Sequence, residues 1–413
     1  MLHKANTEFR EGWRILLIAL LGVVTSPHYL GLYSFGPLVP DLTEALDIPI
    51  GELQRAITFN FIGIAIGSQL GGWLLIRFEP KTVTLCSLLL FSALYAVLSF
   101  IEITRNTLYF FYLVLPLVGS GALLVTWTQL ACLHFEKKRG IALAIVLSGG
   151  GVISAVAPLL LSTLTGTEHW QLAFLLLALL PLTTFFICLF ALPKSHSSEL
   201  ANSVSQQSKT AKGLDFKQVL YSWRFWVIVF ASVLVIIVVL SLITNIVPML
   251  VEKGLSHTKA SLIYSVFGLS LITGRLVGGF LIDRIWGPLV AFCVMVLPAF
   301  GCLIYLFAPA QVLPMIIATI MVGFAAGAEY DIMAYLVSRY FGLRAYSKTY
   351  GALIAVTTLG SGMAPLIYGP ILDATGNYSL LLALGAGTAF IGAPLFLTLG
   401  RYPSFQSKNT AAK

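Results

Sequence analysis

Twelve apolar stretches of about 20 residues dominate the chain, and each is long enough to cross a hydrocarbon layer about 30 Å thick as a helix. They run over 15–40, 56–76, 82–101, 108–133, 141–165 and 170–193, then 225–250, 258–282, 288–308, 311–337, 349–372 and 377–400. Inside a bilayer no water bonds an exposed peptide group, so a spanning stretch must satisfy its own backbone and folds as a helix. Composition agrees. Of 413 residues 58% are hydrophobic and only 10% charged, with a mean hydropathy of +0.91. A soluble domain is usually about a quarter charged, so this chain has too little polar surface to face water on all sides. The first apolar run is too long for a signal-peptide core and closes without a small-residue cleavage site, so it is expected to remain as a first span.

Between the sixth and seventh stretches lies a polar segment, and its core from Ser195 to Gly213 has the Ser, Gln, Asn and Lys content of a flexible linker. The predicted fold is an all-α membrane protein with twelve transmembrane helices in two six-helix repeats: a bundle over 1–193, a cytoplasmic linker over 194–223 and a second bundle over 224–413. The halves repeat in sequence. Gly72-Trp-Leu-Leu-Ile76-Arg77 matches Gly279-Phe-Leu-Ile-Asp283-Arg284 at an offset of 207, and Phe135 matches Phe341 at 206. Two parallel six-span repeats around a central path are the build of a rocking transporter.

With the N-terminus inside, the inner segments hold 20 Lys and Arg, while the outer loops hold only Arg55, Arg105, Lys253 and Lys259. This asymmetry predicts both termini in the cytoplasm and accounts for the net charge of +8. No basic patch with interleaved aromatics is present, so nucleic acid is not an expected partner. Cys86, Cys132, Cys188, Cys293 and Cys302 lie singly in apolar segments, which argues against a zinc site or a disulfide framework.

Gly279-Phe-Leu281-Ile-Asp283-Arg284-Ile-Trp-Gly287 resembles the gating loop of the major facilitator superfamily, and span count, linker and repeat extend that resemblance over the whole chain. Tyr33-Ser-Phe35, His134 to Gly140, Gly274-Arg275, Gly327-Ala-Glu-Tyr330-Asp331 and Tyr350-Gly351 resemble the branch containing monocarboxylate transporters and oxalate–formate exchangers. The chain departs from these relatives at four places. Ile76 stands where the first-half loop usually has Asp. Thr357 occupies the place of the exchangers' second cation, a lysine. Leu124 stands where they carry a tyrosine, and Leu271 where monocarboxylate transporters carry an aspartate. By resemblance, Asp283 and Arg284 gate the inner side, with Gly278 and Gly279 allowing close helix approach there.

Arg275 is the first candidate for substrate contact. It lies nine residues, or about 13 Å of helix, before Arg284, which puts it near the middle of the bilayer. A charge at that depth must face a cavity or a partner. Its fork of donors suits a carboxylate, and the alternative is a structural ion pair. Glu329 and Asp331 are the acids well inside a span, two residues and about 200° apart, so only one can face a cavity. A carboxylate paired with Arg275 would be released by an arriving anion and could take a proton. His28, near the middle of the first span, is a further candidate for proton coupling. Tyr33, Trp127, Tyr330 and Thr357 are candidate substrate contacts, rings and a hydroxyl suited to a cavity wall for organic acids.

The expected function is secondary active transport of a small organic anion, a monocarboxylate by its single central cation, coupled to protons or by exchange. No cofactor and no obligate protein partner are implied; the partners are a small organic acid, protons and the lipid bilayer. The short loops fit a bacterial inner membrane. The alternative is a carrier of a larger amphipathic compound, such as a drug or siderophore. No metal cluster, nucleophile–base pair or phosphate-binding loop points to an enzyme.

Overall fold

The computed structural model describes residues 2–135, 139–165, 170–191, 213–342 and 344–403. Most of the predicted linker, with the basic Lys137 and Lys138, lies outside these residues. Among the described residues, ten helices are long and apolar enough to span a membrane, and two bent helix pairs bring the set to twelve if each is one span. In order they are Gly12–Val24 with Pro27–Leu46, Ile50–Leu75, Pro80–Phe100, Arg105–Val118 with Ser120–Ala131, Ile141–Leu161 and Leu172–Ala191, then Trp223–Glu252, His257–Ile282, Gly287–Phe307, Val312–Phe341, Lys348–Thr375 and Ser379–Leu399. Among the described residues the sole β-type pairing is an isolated bridge between Gly213 and Gly342.

Two spans predicted as single apolar stretches are bent. The first bends by 46° at Thr25–Ser26. Pro27 begins the second segment, where a missing N–H costs nothing, and the Ser26 side chain accepts the His28 N–H at 3.4 Å. Thr25 Oγ1 ties the bend to Thr184 Oγ1 of the sixth span at 3.1 Å. The fourth span bends by 62° around the 3-10 turn Ser120–Ala122. Peptide groups freed there need partners, and the third span supplies them: Ser87 Oγ accepts the Gly121 N–H at 3.0 Å and Thr84 Oγ1 donates to the Gly121 carbonyl at 3.1 Å.

The eighth and tenth spans cross with backbone nearly touching backbone. A Cβ built on Gly274 would stand 2.1 Å from the Phe324 carbonyl oxygen, and one on Gly327 would stand 2.0 Å from that of Leu271. Small residues spaced by four are what permit such a crossing in lipid. Gly278 belongs to it, against the Ala328 side chain, whereas a Cβ on Gly279 would meet nothing within 4 Å in this structure.

The two sequence halves meet through the first and seventh, second and eleventh, and fifth and eighth spans. Hydrogen bonds join them at the end away from the linker. The Gly51 N–H donates to Asp373 Oδ1 at 2.8 Å, and the Gln54 amide donates to Asn245 Oδ1. His257 bridges Thr165 Oγ1 and the Pro37 carbonyl, each at 3.1 Å. At the other end, the last part of the expected linker is ordered. A short helix, Phe216–Leu220, is closed by a capping box between Asp215 and Gln218, and Asp215 pairs with Arg344 at 3.2 Å.

Candidate functional site

The crossing of the eighth and tenth spans sets the site. It brings Arg275 beside Asp331, with Nε 3.3 Å from Oδ2. The arginine side chain is only 6% exposed and Asp331 is 36% exposed, so the aspartate forms the open side of the pair. The N–H is not lined up with the carboxylate as a hydrogen bond, and Arg275 Nε and Nη1 are buried without a hydrogen-bond partner. A fork of donors of this kind suits a planar acceptor with two oxygens.

Glu329, on the same turn, points elsewhere. It is 2% exposed and buries an unpartnered Oε1. Of the two acids the sequence left open, Asp331 is therefore the one paired with Arg275 and open to solvent.

Tyrosines surround the pair. Tyr33 of the first span and Tyr350 of the eleventh both lie within electrostatic reach of Arg275, and Tyr350 and Tyr346 lie within reach of Asp331. The Tyr350 hydroxyl donates to the Tyr330 carbonyl at 3.3 Å. Tyr29 stacks on Tyr33 with ring centroids 5.7 Å apart, and Tyr346 stacks on Tyr350 at the same distance. Sequence reasoning missed Tyr29 and Tyr346 and used Tyr350 only as a family marker. Spacing was the available signal, since residues four apart share a helix face, so each is the stacking neighbour of a tyrosine already singled out.

Other candidates fall away from the pair. Trp127 is fully buried, its indole N–H donating to the Ala122 carbonyl at 2.9 Å and its ring filling the space over Gly22, so it packs the fourth span against the first rather than lining a path. Thr357 is likewise fully buried and bonds back to the carbonyls of Leu353 and Ile354 in its own helix. His28 sits half-exposed at the first-span bend, edge-on to Tyr29 at 4.9 Å and Phe61 at 6.1 Å, and forms no ion pair among the described residues. Asp283 and Arg284 are exposed at the turn after the eighth span; Arg284 stacks over Phe280 at 3.5 Å, and Asp283 makes no ion pair among the described residues. No group of three or more metal-ligating side chains occurs among the described residues.

The chain is similar to monocarboxylate transporter 13 of Rattus norvegicus, with 25% identity over 411 residues that cover 97% of this chain and 91% of that protein. It is also similar to the 3-(3-hydroxy-phenyl)propionate transporter of Escherichia coli (strain K12), at 23% identity covering 95% and 96%. Among solved structures, a D-xylose-proton symporter superposes with a TM-score of 0.74 at 15% identity, covering 95% of this chain and 98% of that one. These are transporters, not enzymes, and the solved symporter shares the helical bundle described above. The model of the Major Facilitator Superfamily matches residues 21–365, and the chain belongs to that family of multi-pass membrane transporters.

Proposed function

We propose that this protein carries a small organic monocarboxylate across the membrane by alternating access, with Arg275 binding the carboxylate and Asp331 handling the coupled proton. The observation that carries this reading is the pair of Arg275 and Asp331 within two apolar spans, in which a buried guanidinium keeps two nitrogens without hydrogen-bond partners. An incoming carboxylate takes the place of Asp331 on the fork, and the released aspartate, on the open side, takes a proton. Substrate and proton then cross together with the site's net charge unchanged. One cation suits one carboxylate; a dicarboxylate would leave a second charge unmatched. Two relatives, the monocarboxylate transporter and the hydroxyphenylpropionate transporter, carry monocarboxylic acids in their names, which supports the same class.

The reading extends to placement: a six-helix bundle over 1–193, a linker over 194–223 and a second bundle over 224–413, with termini in the cytoplasm of a bacterial inner membrane. The basic residues on the linker side support that orientation. By resemblance, Asp283 and Arg284 close the linker end in the opposite conformer.

The test is proteoliposome uptake of a monocarboxylate panel by the wild type, Arg275→Lys and Asp331→Asn. Arg275→Lys keeps the charge but loses the fork, and uptake is expected to fall by at least about tenfold. Asp331→Asn is expected to lose uptake driven by a pH gradient while retaining exchange of one internal substrate molecule for one external. If Arg275→Lys transports normally, the arginine is a helix tie and not the anchor. Stabilisation by bulky amphipathic compounds and by no carboxylate would favour a carrier of those compounds instead.

A further inference from the structure

We propose that the transported monocarboxylate carries a planar ring, held between two stacked tyrosine pairs, Tyr29–Tyr33 and Tyr346–Tyr350, while Arg275 holds its carboxylate. The inference rests on the carboxylate reading above and narrows it to aryl acids.

One pair comes from each half of the chain. Tyr29 and Tyr33 are one turn apart on the second segment of the first span, with rings 23° from parallel; Tyr346 and Tyr350 are one turn apart at the start of the eleventh, with rings 9° from parallel. Both pairs lie near the Arg275–Asp331 pair. Tyr29 lies within electrostatic reach of both Tyr330 and Tyr350, and Tyr33 and Tyr350 each lie within reach of Arg275.

Each wall is backed so that its rings hold their places. A Cβ built on Gly150 of the fifth span would lie 2.8 Å from the Tyr29 ring, so a glycine is what lets that ring lie flat against the helix. Phe267 backs Tyr33 at 6.0 Å, and the Tyr350 hydroxyl is anchored on the Tyr330 carbonyl.

Exposure separates Tyr29, Tyr346 and Tyr350 from ordinary packing, whereas Tyr33, on which Tyr29 stacks, is buried. Tyr95, Tyr112, Tyr264 and Tyr305 also lie within spans and are fully buried in the bundle. Tyr29, Tyr330, Tyr346 and Tyr350 are only partly buried. Partly exposed ring surface near one buried cation matches a ligand with a flat apolar body and one anionic end. A short aliphatic acid would satisfy Arg275 and leave most of that ring surface uncovered.

The test measures dissociation constants from thermal shifts of the purified full-length protein, with benzoate and 3-phenylpropanoate as aryl probes and propanoate and lactate as aliphatic ones. Aryl acids are expected to bind at least about tenfold more tightly. Tyr29→Leu and Tyr350→Leu should each remove most of that preference while leaving propanoate within about twofold, and Tyr29→Phe, which keeps the ring, should retain it. Equal affinity for the two classes, or a loss on Tyr→Leu that falls equally on both, would overturn the inference. Aliphatic acids that bind in an Arg275-dependent manner without any ring preference would sink the aryl proposal alone. Binding of either class that is indifferent to Arg275→Lys would sink the carboxylate reading, and the aryl proposal with it.

Discussion

At the end away from the linker, the second and eleventh spans meet backbone to backbone, whereas at the linker end the same two helices carry glycines that touch nothing. A Cβ on Gly51 would stand 2.1 Å from the Gly369 carbonyl oxygen; on Gly72, at the far end of the second span, or on Gly351, at the near end of the eleventh, it would meet no atom within 4 Å. The polar contacts divide in the same way. Gly51–Asp373, Gln54–Asn245 and the Thr165–His257–Pro37 bridge tie the halves at the first end, while Asp283 is exposed at the second. The structure is thus the conformer sealed opposite the linker, and its seal is mostly backbone contact reinforced by a few hydrogen bonds. Exchange to the other conformer requires all of these to part together, as expected of interfaces that are bistable rather than soft.

The largest effect that would break this contrast is steric. Gly51→Val places a branched side chain where a carbonyl already sits, and the sealed conformer cannot form without the two helices separating. Spin labels on Glu44→Cys and Lys259→Cys, exposed positions on the first and eighth spans at that end, should report a longer and broader distance than in the wild type, with transport reduced by about tenfold or more. An unchanged distance would mean that the Gly51–Gly369 contact does not hold the seal.

Gln54→Ala is the next in size. It removes the donor to Asn245 Oδ1 and leaves that buried oxygen unmatched, which costs the sealed conformer about 1–3 kcal/mol. The same label pair should then show two populations rather than one. A single population at the wild-type distance would show that Asn245 finds another donor.

How much of this could be seen in the chain itself follows from which forces act locally. The spans were legible because length and apolarity alone decide whether a helix crosses lipid. Arg275 was legible for a similar reason: a charge at mid-membrane depth stands out wherever it points. Its partner was not, because the choice between Glu329 and Asp331 depends on how the eighth span is rotated against the tenth. That rotation is fixed by Gly274, Gly323 and Gly327 pressing on the facing backbone and Gly278 on the Ala328 side chain, a long-range contact with no local signature beyond the four-residue spacing. Trp127 and Thr357 misled for the opposite reason. A polar-tipped side chain in a span can line a path or bond its own helix, and both satisfied themselves locally. The bend at Ser26–Pro27 had a sequence mark in its proline, but the fourth-span bend also depends on Ser87 and Thr84 from a neighbouring helix.

The smallest expected effect tests the open end. Asp283→Asn preserves shape and removes a charge that, in this conformer, is exposed and forms no ion pair among the described residues. An exposed substitution away from any contact changes stability by about 0.5 kcal/mol or less, so the melting temperature should stay within about 2 °C of the wild type. Transport should nevertheless slow if the aspartate docks on a helix end when the linker side closes, because the substitution then weakens only the conformer not seen here. Unchanged stability with slower turnover is the signature of a group that acts at one end and in one state. A fall in melting temperature well beyond about 2 °C would mean Asp283 is already docked, and the two ends would then be sealed alike.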